Sequence, residues 1–224
     1  TSETKMTLLN SKGISTYLIQ LEKLTPAIDA FLTSEILVVN IPSKNVEGFK
    51  NLISYIEKST IQKVIFISST SVYANSEEII TEKTPVIACD LVEIEKLFQC
   101  NSNFETTLIR FAGLLGYNRK PGNFFKNGKS IPNPEGVVNM IHQDDCIAVI
   151  EQIIIQNCWG EVFNACADTH PERRAFYNKS FTDIGLKRPV FNENDSKEIK
   201  LISNHKLKEL LSYSFKYPDL MNYE

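Results

Sequence analysis

No stretch of this sequence is apolar for long enough to cross a bilayer. Runs such as Ile36 to Val39 and Ile153 to Ile155 fall far short of the roughly 18 residues a spanning helix needs, and no charged-then-apolar leader opens the chain. A basic stripe is missing too. Lys and Arg are scattered singly, the formal net charge is -3, and nothing resembles the run of cations that neutralises nucleic-acid phosphates. The five cysteines form no C-x-x-C pair, and an odd number cannot all be joined within one chain, so they read as reduced and mostly buried thiols. His142, His170 and His205 lie far apart, and none belongs to an H-E-x-x-H or similar cluster, which leaves no metal site. These absences point to a cytoplasmic protein with no membrane, nucleic-acid or metal partner.

What remains is an ordinary globular balance, 42% hydrophobic and 23% charged in 224 residues, enough for one substantial core. Strand-like and helix-like segments alternate, the pattern of a parallel sheet covered by helices. Ser15 to Leu21 is a short strand candidate, and Thr25 followed by Pro26 is a helix start. Glu35 to Ile41 (EILVVNI) is a strand buried on both faces. Val46, Phe49, Leu52, Ile53 and Ile56 then make one apolar helical stripe, and Lys63 to Ser69 (KVIFISS) is the clearest buried strand. Asp90 to Phe98 reads as a helix with Leu91, Ile94, Leu97 and Phe98 inward, followed by the strand Thr106 to Phe111. The Gly- and Pro-rich stretch 113–136 is a candidate substrate-side loop region. Asp144 and Asp145 cap a helix bearing Ile147, Val149, Ile150, Ile153 and Ile154. Another strand, Glu161 to Asn164, a helix from Pro171 to near Gly185 and a polar tail complete the chain.

Four motifs occur in order along this frame. Ser68-Ser69-Thr70-Ser71-Val72-Tyr73 sits at the carboxyl end of the KVIFI strand. Glu82 to Pro85 precedes the Asp90 helix, Leu108-Ile109-Arg110-Phe111-Ala112-Gly113-Leu114-Leu115-Gly116 ends the next strand, and Ile141-His142-Gln143-Asp144-Asp145 opens a helix. Together they resemble the extended short-chain dehydrogenases of the NAD-dependent epimerase/dehydratase family, with Ala74 in place of the glycine that closes the first motif. The resemblance implies a Rossmann-like α/β fold, with 1–115 a partial NAD(P)-binding domain and 116–224 an interleaved substrate-side region. Open parallel sheets bind ligands beyond the carboxyl ends of their strands. The implied cofactor-binding residues are therefore Ile41, Pro42, Ser43, Ser68, Phe111, Ala112 and Gly113, holding NAD or NADP. The implied ligand is a nucleotide-sugar or similar polar small molecule, with a homodimer left open.

Two departures qualify that implication. The family's Tyr and Lys, four residues apart on one helix face, fall at Ile87 and Leu91, neither of which can exchange a proton. A Lys ammonium lowers a phenol pKa that is otherwise about 10 so that it acts as a base, and no such pair exists here. Ser69 remains from the triad, with Tyr73, Lys83, Tyr117 and His142 as the nearby titratable candidates to replace the pair, Tyr73 and His142 foremost, and this chain resembles the atypical subset that keeps the fold without the pair. Secondly, the sequence has no G-x-G-x-x-G turn to receive a pyrophosphate at a helix N-terminus. The family's first β-α-β unit, roughly 35 to 45 residues, is therefore expected to precede Thr1 in the parent protein and to be needed for tight cofactor binding. An enzyme with a substituted acid/base, a redox-inactive NAD(P)-binding or sensory protein, and a ligand-free interaction module are the three readings left open.

Overall fold

The computed structural model describes residues 3–223. Helix α1 (Glu3–Asn10) leads through an extended stretch and two short 3-10 turns to β1 (Ile36–Val39), α2 (Val46–Ile56) and β2 (Lys63–Ser69). Next come β3 (Ser76–Ile80), α3 (Asp90–Gln99), β4 (Glu105–Phe111), β5 (Gly113–Leu115), β6 (Met140–His142) and α4 (Gln143–Ile155). The chain continues with β7 (Val162–Ala165), α5 (Arg173–Asp183), β8 (Lys200–Ile202) and α6 (His205–Leu211). Strands β1, β2, β4 and β7 form a four-stranded sheet in that order, parallel throughout. Two smaller parallel pairs, β3 with β8 and β5 with β6, lie outside it. This is the expected Rossmann-like α/β arrangement. Among the described residues no helix is long and apolar enough to cross a membrane.

Side-chain alternation along β2 explains the layering. Val64 and Phe66 point to one face, where they join Phe49 and Ile53 of α2 and Ile94 and Phe98 of α3. Ile65 points to the other and meets Val149 and Ile153 of α4 and Leu207 and Leu211 of α6. Both faces are covered, which is why β2 reads as a continuous apolar run. Each fully buried Phe or Leu contributes about 1.5–3 kcal/mol, and the ring stack of Phe66 on Phe98, centroids 4.7 Å apart, fixes α3 on the sheet. A third core gathers Leu115, Ile131, Met140, Phe176, Phe181 and Leu220 around the β5–β6 pair.

Several expectations are corrected. Ser15 to Leu21 is not a strand: it runs as extended chain, and Leu21 tucks against α2, where a Cβ on Gly48 would come within 2.9 Å of its Cγ. The region 113–136 is not all loop, because β5 lies in it and Leu115 and Ile131 are fully buried. The polar tail holds β8 and α6, and it buries Leu207, Leu211, Phe215 and Leu220 in the second and third cores. The caps of α4 also differ: His142 is its N-cap, and Asp144 and Asp145 sit in the first turn. All five cysteines are free, and burial pushes the thiols of Cys146 and Cys166 up to about 12, so both stay protonated and inert.

Candidate functional site

The parallel register brings the carboxyl ends of four strands side by side. Val39 stands opposite Phe66, Ser69 opposite Phe111, and Phe111 opposite Ala165. Just beyond β1, the Ser43 N–H turns back to Ile41 O at 2.8 Å, and Ser43 Oγ accepts from the Asn45 N–H at 3.2 Å. Asn45 in turn caps α2 by accepting from the Gly48 N–H at 3.0 Å. Past β4, Phe111 and Ala112 are buried, and Ala112 donates its N–H to Ala165 O, while Gly113 is exposed. These ends therefore offer backbone and small side chains, Ser43, Ala112 and Gly113, to whatever lies across them. That surface is where the family resemblance places the ribose and nicotinamide portions of a dinucleotide. The described residues contain no glycine-rich turn for its pyrophosphate.

Ser69 occupies the centre. Its Oγ accepts from the Ser71 N–H at 3.1 Å, which caps the 3-10 turn Thr70–Val72 and leaves the hydroxyl proton to donate outward. The Ile87 N–H donates to Val72 O at 2.8 Å, so the residue at the family's Tyr position is held beside this turn. Its side chain is 44% exposed and purely apolar. Ile87 lies in irregular chain three residues before α3, so the two positions do not share one helix face as expected; Leu91, in the first turn of α3, packs against both cores.

Beneath these groups runs a buried polar network. Arg110 of β4 donates from Nε to Glu95 Oε1 at 3.0 Å and from Nη2 to Oε2 at 2.7 Å, a bidentate pair in which both side chains are almost wholly buried. Ser68 Oγ donates to Glu95 Oε1 at 2.5 Å. Arg110 Nη1 donates to the Tyr73 hydroxyl at 2.6 Å, and that hydroxyl donates to Asn164 Oδ1 at 2.9 Å. Glu82 accepts from the Asn164 backbone N–H at 2.8 Å. Burial works to lower the Arg110 pKa, but its bonds and attraction to Glu95 outweigh that and hold it above its ordinary value. Tyr73 and Ser68 are thereby corrected as site residues. Tyr73 is 1% exposed and its phenol is pushed up, chiefly by burial, so it cannot reach a ligand or serve as a base. The Ser68 hydroxyl faces the ion pair, away from the strand-end surface.

Comparison with known proteins agrees with this geometry. Residues 37–96 match the NAD dependent epimerase/dehydratase family. The Escherichia coli K12 protein YeeZ is 30% identical over 225 aligned residues, spanning 92% of this chain and 82% of YeeZ. The chain belongs to the NAD dependent epimerase/dehydratase family. Among solved structures, a Methylobacillus flagellatus protein assigned to the same epimerase/dehydratases superposes with a TM-score of 0.78 at 25% identity, covering 94% of this chain and 82% of that one. A UDP-glucuronic acid 4-epimerase from Bacillus cereus, in complex with NAD, superposes with a TM-score of 0.75 at 14% identity, covering 98% and 82%.

In this epimerase/dehydratase chain His142 stands on the separate β5–β6 pair. It is 6% exposed, and its Nδ1 accepts the Asp144 N–H at 3.1 Å as the cap of α4. The proton of the neutral ring therefore sits on Nε2, and protonating Nδ1 would break the cap. This corrects His142 as an acid/base. Burial lowers its pKa, opposed by Asp144 and Asp145 and assisted by Lys216. His170 is lowered too, again chiefly by burial. A base with a depressed folded pKa binds fewer protons folded than unfolded, so stability is full above about pH 6.5 and falls as pH drops through the folded values. Urea unfolding across pH 7 to 5 is expected to show that decline, and His142→Asn, which keeps a capping oxygen, is expected to flatten part of it. The carboxylates Asp144 and Asp219, both held below their usual range by hydrogen bonds, keep their stabilising contribution through this window and lose it only at lower pH.

The sequence reading overlooked the role of Glu95, Arg110 and Asn164. A signal was present: a Glu on the same face as Val92, Ile94 and Phe98 in α3 and an Arg inside the ETTLIRF strand are opposite charges among residues that are largely apolar and buried. Such charges are rarely buried unless paired.

Proposed function

We propose that this chain is an NAD(P)-binding member of the family that holds a polar metabolite of the nucleotide-sugar class at Ser69 without carrying out proton-coupled redox chemistry on it. The observation that carries this reading is Ile87, anchored through Val72 O beside the Ser69 turn and presenting only hydrocarbon where a proton-transferring phenol is needed. The two foremost replacements are already engaged: Tyr73 is locked under Arg110, and His142 caps α4 from another sheet. The free hydroxyl proton of Ser69 supports a binding role, since one well-placed donor in a partly desolvated site orients a hydroxyl-rich ligand.

Calorimetric titration of the full-length gene product with NAD and NADP in parallel, followed by a panel of UDP- and dTDP-sugars with absorbance read at the reduced-nicotinamide band, tests the reading. Dinucleotide binding without accumulation of reduced cofactor or sugar product is expected. Ser69→Ala is expected to weaken the retained sugar nucleotide roughly tenfold, one hydrogen bond's worth, while NAD affinity holds. Sustained turnover of any panel member overturns the proposal.

A further inference from the structure

Apart from the strand ends, the described residues border a cavity of about 300 Å³ lined by Gly116, Tyr117, Lys120, His142, Tyr217 and Tyr223. None of these residues belongs to the surface around Ser69. The walls are mainly aromatic: the His142 ring lies 3.8 Å, centroid to centroid, from Tyr217 and 5.6 Å from Tyr117. The imidazole supplies a donor. Its Nδ1 is occupied by the Asp144 N–H, so Nε2 carries the hydrogen, and no hydrogen bond reaches Nε2 among the described residues. Nor is Nε2 among the sealed polar atoms that lack partners, so it opens onto the cavity rather than into packed protein. A side chain more than nine-tenths buried and held in one tautomer thus aims an unpartnered N–H into the chamber.

Tyr117 supplies an acceptor beside it. Its hydroxyl hydrogen is given to Asp144, and that bond, ahead of burial, holds the phenol pKa above its ordinary value. The phenol oxygen therefore stays protonated and presents its lone pairs. Asp144 also lies 3.8 Å from His142 Nδ1, so one carboxylate anchors both groups side by side. The backbone fixes the arrangement: Tyr117 has φ +51, in the left-handed region that bulky residues rarely enter, and the Arg119 N–H closes the turn on Gly116 O at 2.9 Å. The charges around the chamber are already matched. Lys216 pairs with Asp144 at 2.9 Å, Asp145 accepts from three donors, and Lys120 is engaged. Among the described residues a bound anion would meet no free cation there and a bound cation no unpaired carboxylate, so either would lose its hydration uncompensated.

We infer that this chamber binds a small neutral ring with a cyclic amide edge, its carbonyl accepting from His142 Nε2–H and its N–H donating to the Tyr117 oxygen. The aromatic walls suit a flat face, and the volume, at the small end of ligand sites, suits a single ring. The two polar groups select the edge. A donor alone would admit any ketone, whereas the neighbouring oxygen favours an N–H next to the carbonyl and is left unpaired by a ligand that lacks one.

The probe is 2-pyridone. Long-range proton-nitrogen NMR of the full chain is expected to show a saturable shift of His142 Nε2 on adding it, with a matching calorimetric isotherm. N-methyl-2-pyridone, which keeps the carbonyl and lacks the N–H, is expected to bind about tenfold more weakly, the scale of one hydrogen bond. Tyr117→Phe, a change at an exposed residue, is expected to weaken 2-pyridone by about the same tenfold factor and to leave the methylated ring unaffected, so that the variant treats the two rings alike. His142→Asn, which keeps the helix cap, is expected to weaken both. Benzoate and benzylamine, an anion and a cation of similar size, are expected to bind more weakly than 2-pyridone. The absence of a saturable Nε2 shift, equal affinity for the methylated ring or for benzoate, or undiminished 2-pyridone binding by Tyr117→Phe overturns the inference.

Discussion

Arg110→Met is expected to remove about 3–5 kcal/mol of unfolding free energy, the usual scale for breaking a buried ion pair by deleting one partner. The substitution leaves the Glu95 carboxylate, on a residue 1% exposed, with only the Ser68 hydroxyl as its donor. It also strips the Tyr73 hydroxyl of its donor. The origin of the loss is desolvation: an unpaired charge in a medium that cannot hydrate it. The companion double variant Glu95→Leu/Arg110→Met is therefore expected to recover much of the stability, because it removes the charge along with its partner. Urea unfolding of the wild type, the single variant and the double variant measures both effects. A loss under about 1 kcal/mol in the single variant would mean that water reaches the carboxylate, contrary to the packing of α3 on β2 and β4.

Asp145→Ala is the second large effect. This carboxylate is 0% exposed and accepts from the Tyr213 hydroxyl at 2.7 Å, the Lys216 N–H at 2.7 Å and the Tyr217 N–H at 3.1 Å. One side chain at the start of α4 thus ties down the segment 213–217, whose Tyr217 covers His142. Burial first, and then the bond to Asp145, push the Tyr213 phenol above its ordinary range, so all three donors are fully protonated at neutral pH. Removing the acceptor orphans three donors at about 1–3 kcal/mol each, partly offset by water entering a loosened segment, and a net loss of about 3 kcal/mol is expected. Amide exchange at Lys216 and Tyr217 is expected to accelerate sharply, while that of β2 and β4 keeps step with global stability alone. Asp145→Asn, which keeps one acceptor oxygen, is expected to fall between the two.

The sheet was legible from sequence because its strands are short apolar runs bounded by polar residues, although β1 is not buried on both faces as expected: Val38 is 40% exposed. KVIFISS corresponds residue for residue to β2, and EILVVNI and TTLIRF contain or adjoin β1 and β4 within a residue or two. Legibility ended where the structure depends on contacts between distant residues. Ser15 to Leu21 has strand composition, but its Leu21 side chain is taken by the notch at Gly48 of α2. The C-terminal stretch is polar on average, and its few apolar residues, Leu207, Leu211, Phe215 and Leu220, are spaced to reach two different cores. At the site, the strand-end motif located Ser69 and the substitution at Ile87. Composition could not reveal that Tyr73 and His142, the foremost titratable candidates, are already held by Arg110 and by the first turn of α4. Titratable side chains near a motif are candidates only until their hydrogen bonds are counted.

Among the described residues every pair of strands is parallel, and that has a bearing on how the chain is made. A parallel pair cannot be closed by a tight turn, so each must wait for a crossover and the loop entropy that goes with it, which places such sheets among slower-folding topologies. The longest wait belongs to β3. Its strand partner is β8, and the Lys200 ammonium that bonds Tyr73 O comes from 127 residues further along. On the ribosome, β2 and the Ser69 turn therefore emerge long before the segment that closes over them. Until β8 arrives, Ile80, fully buried in the finished protein, stands open to solvent or to a chaperone.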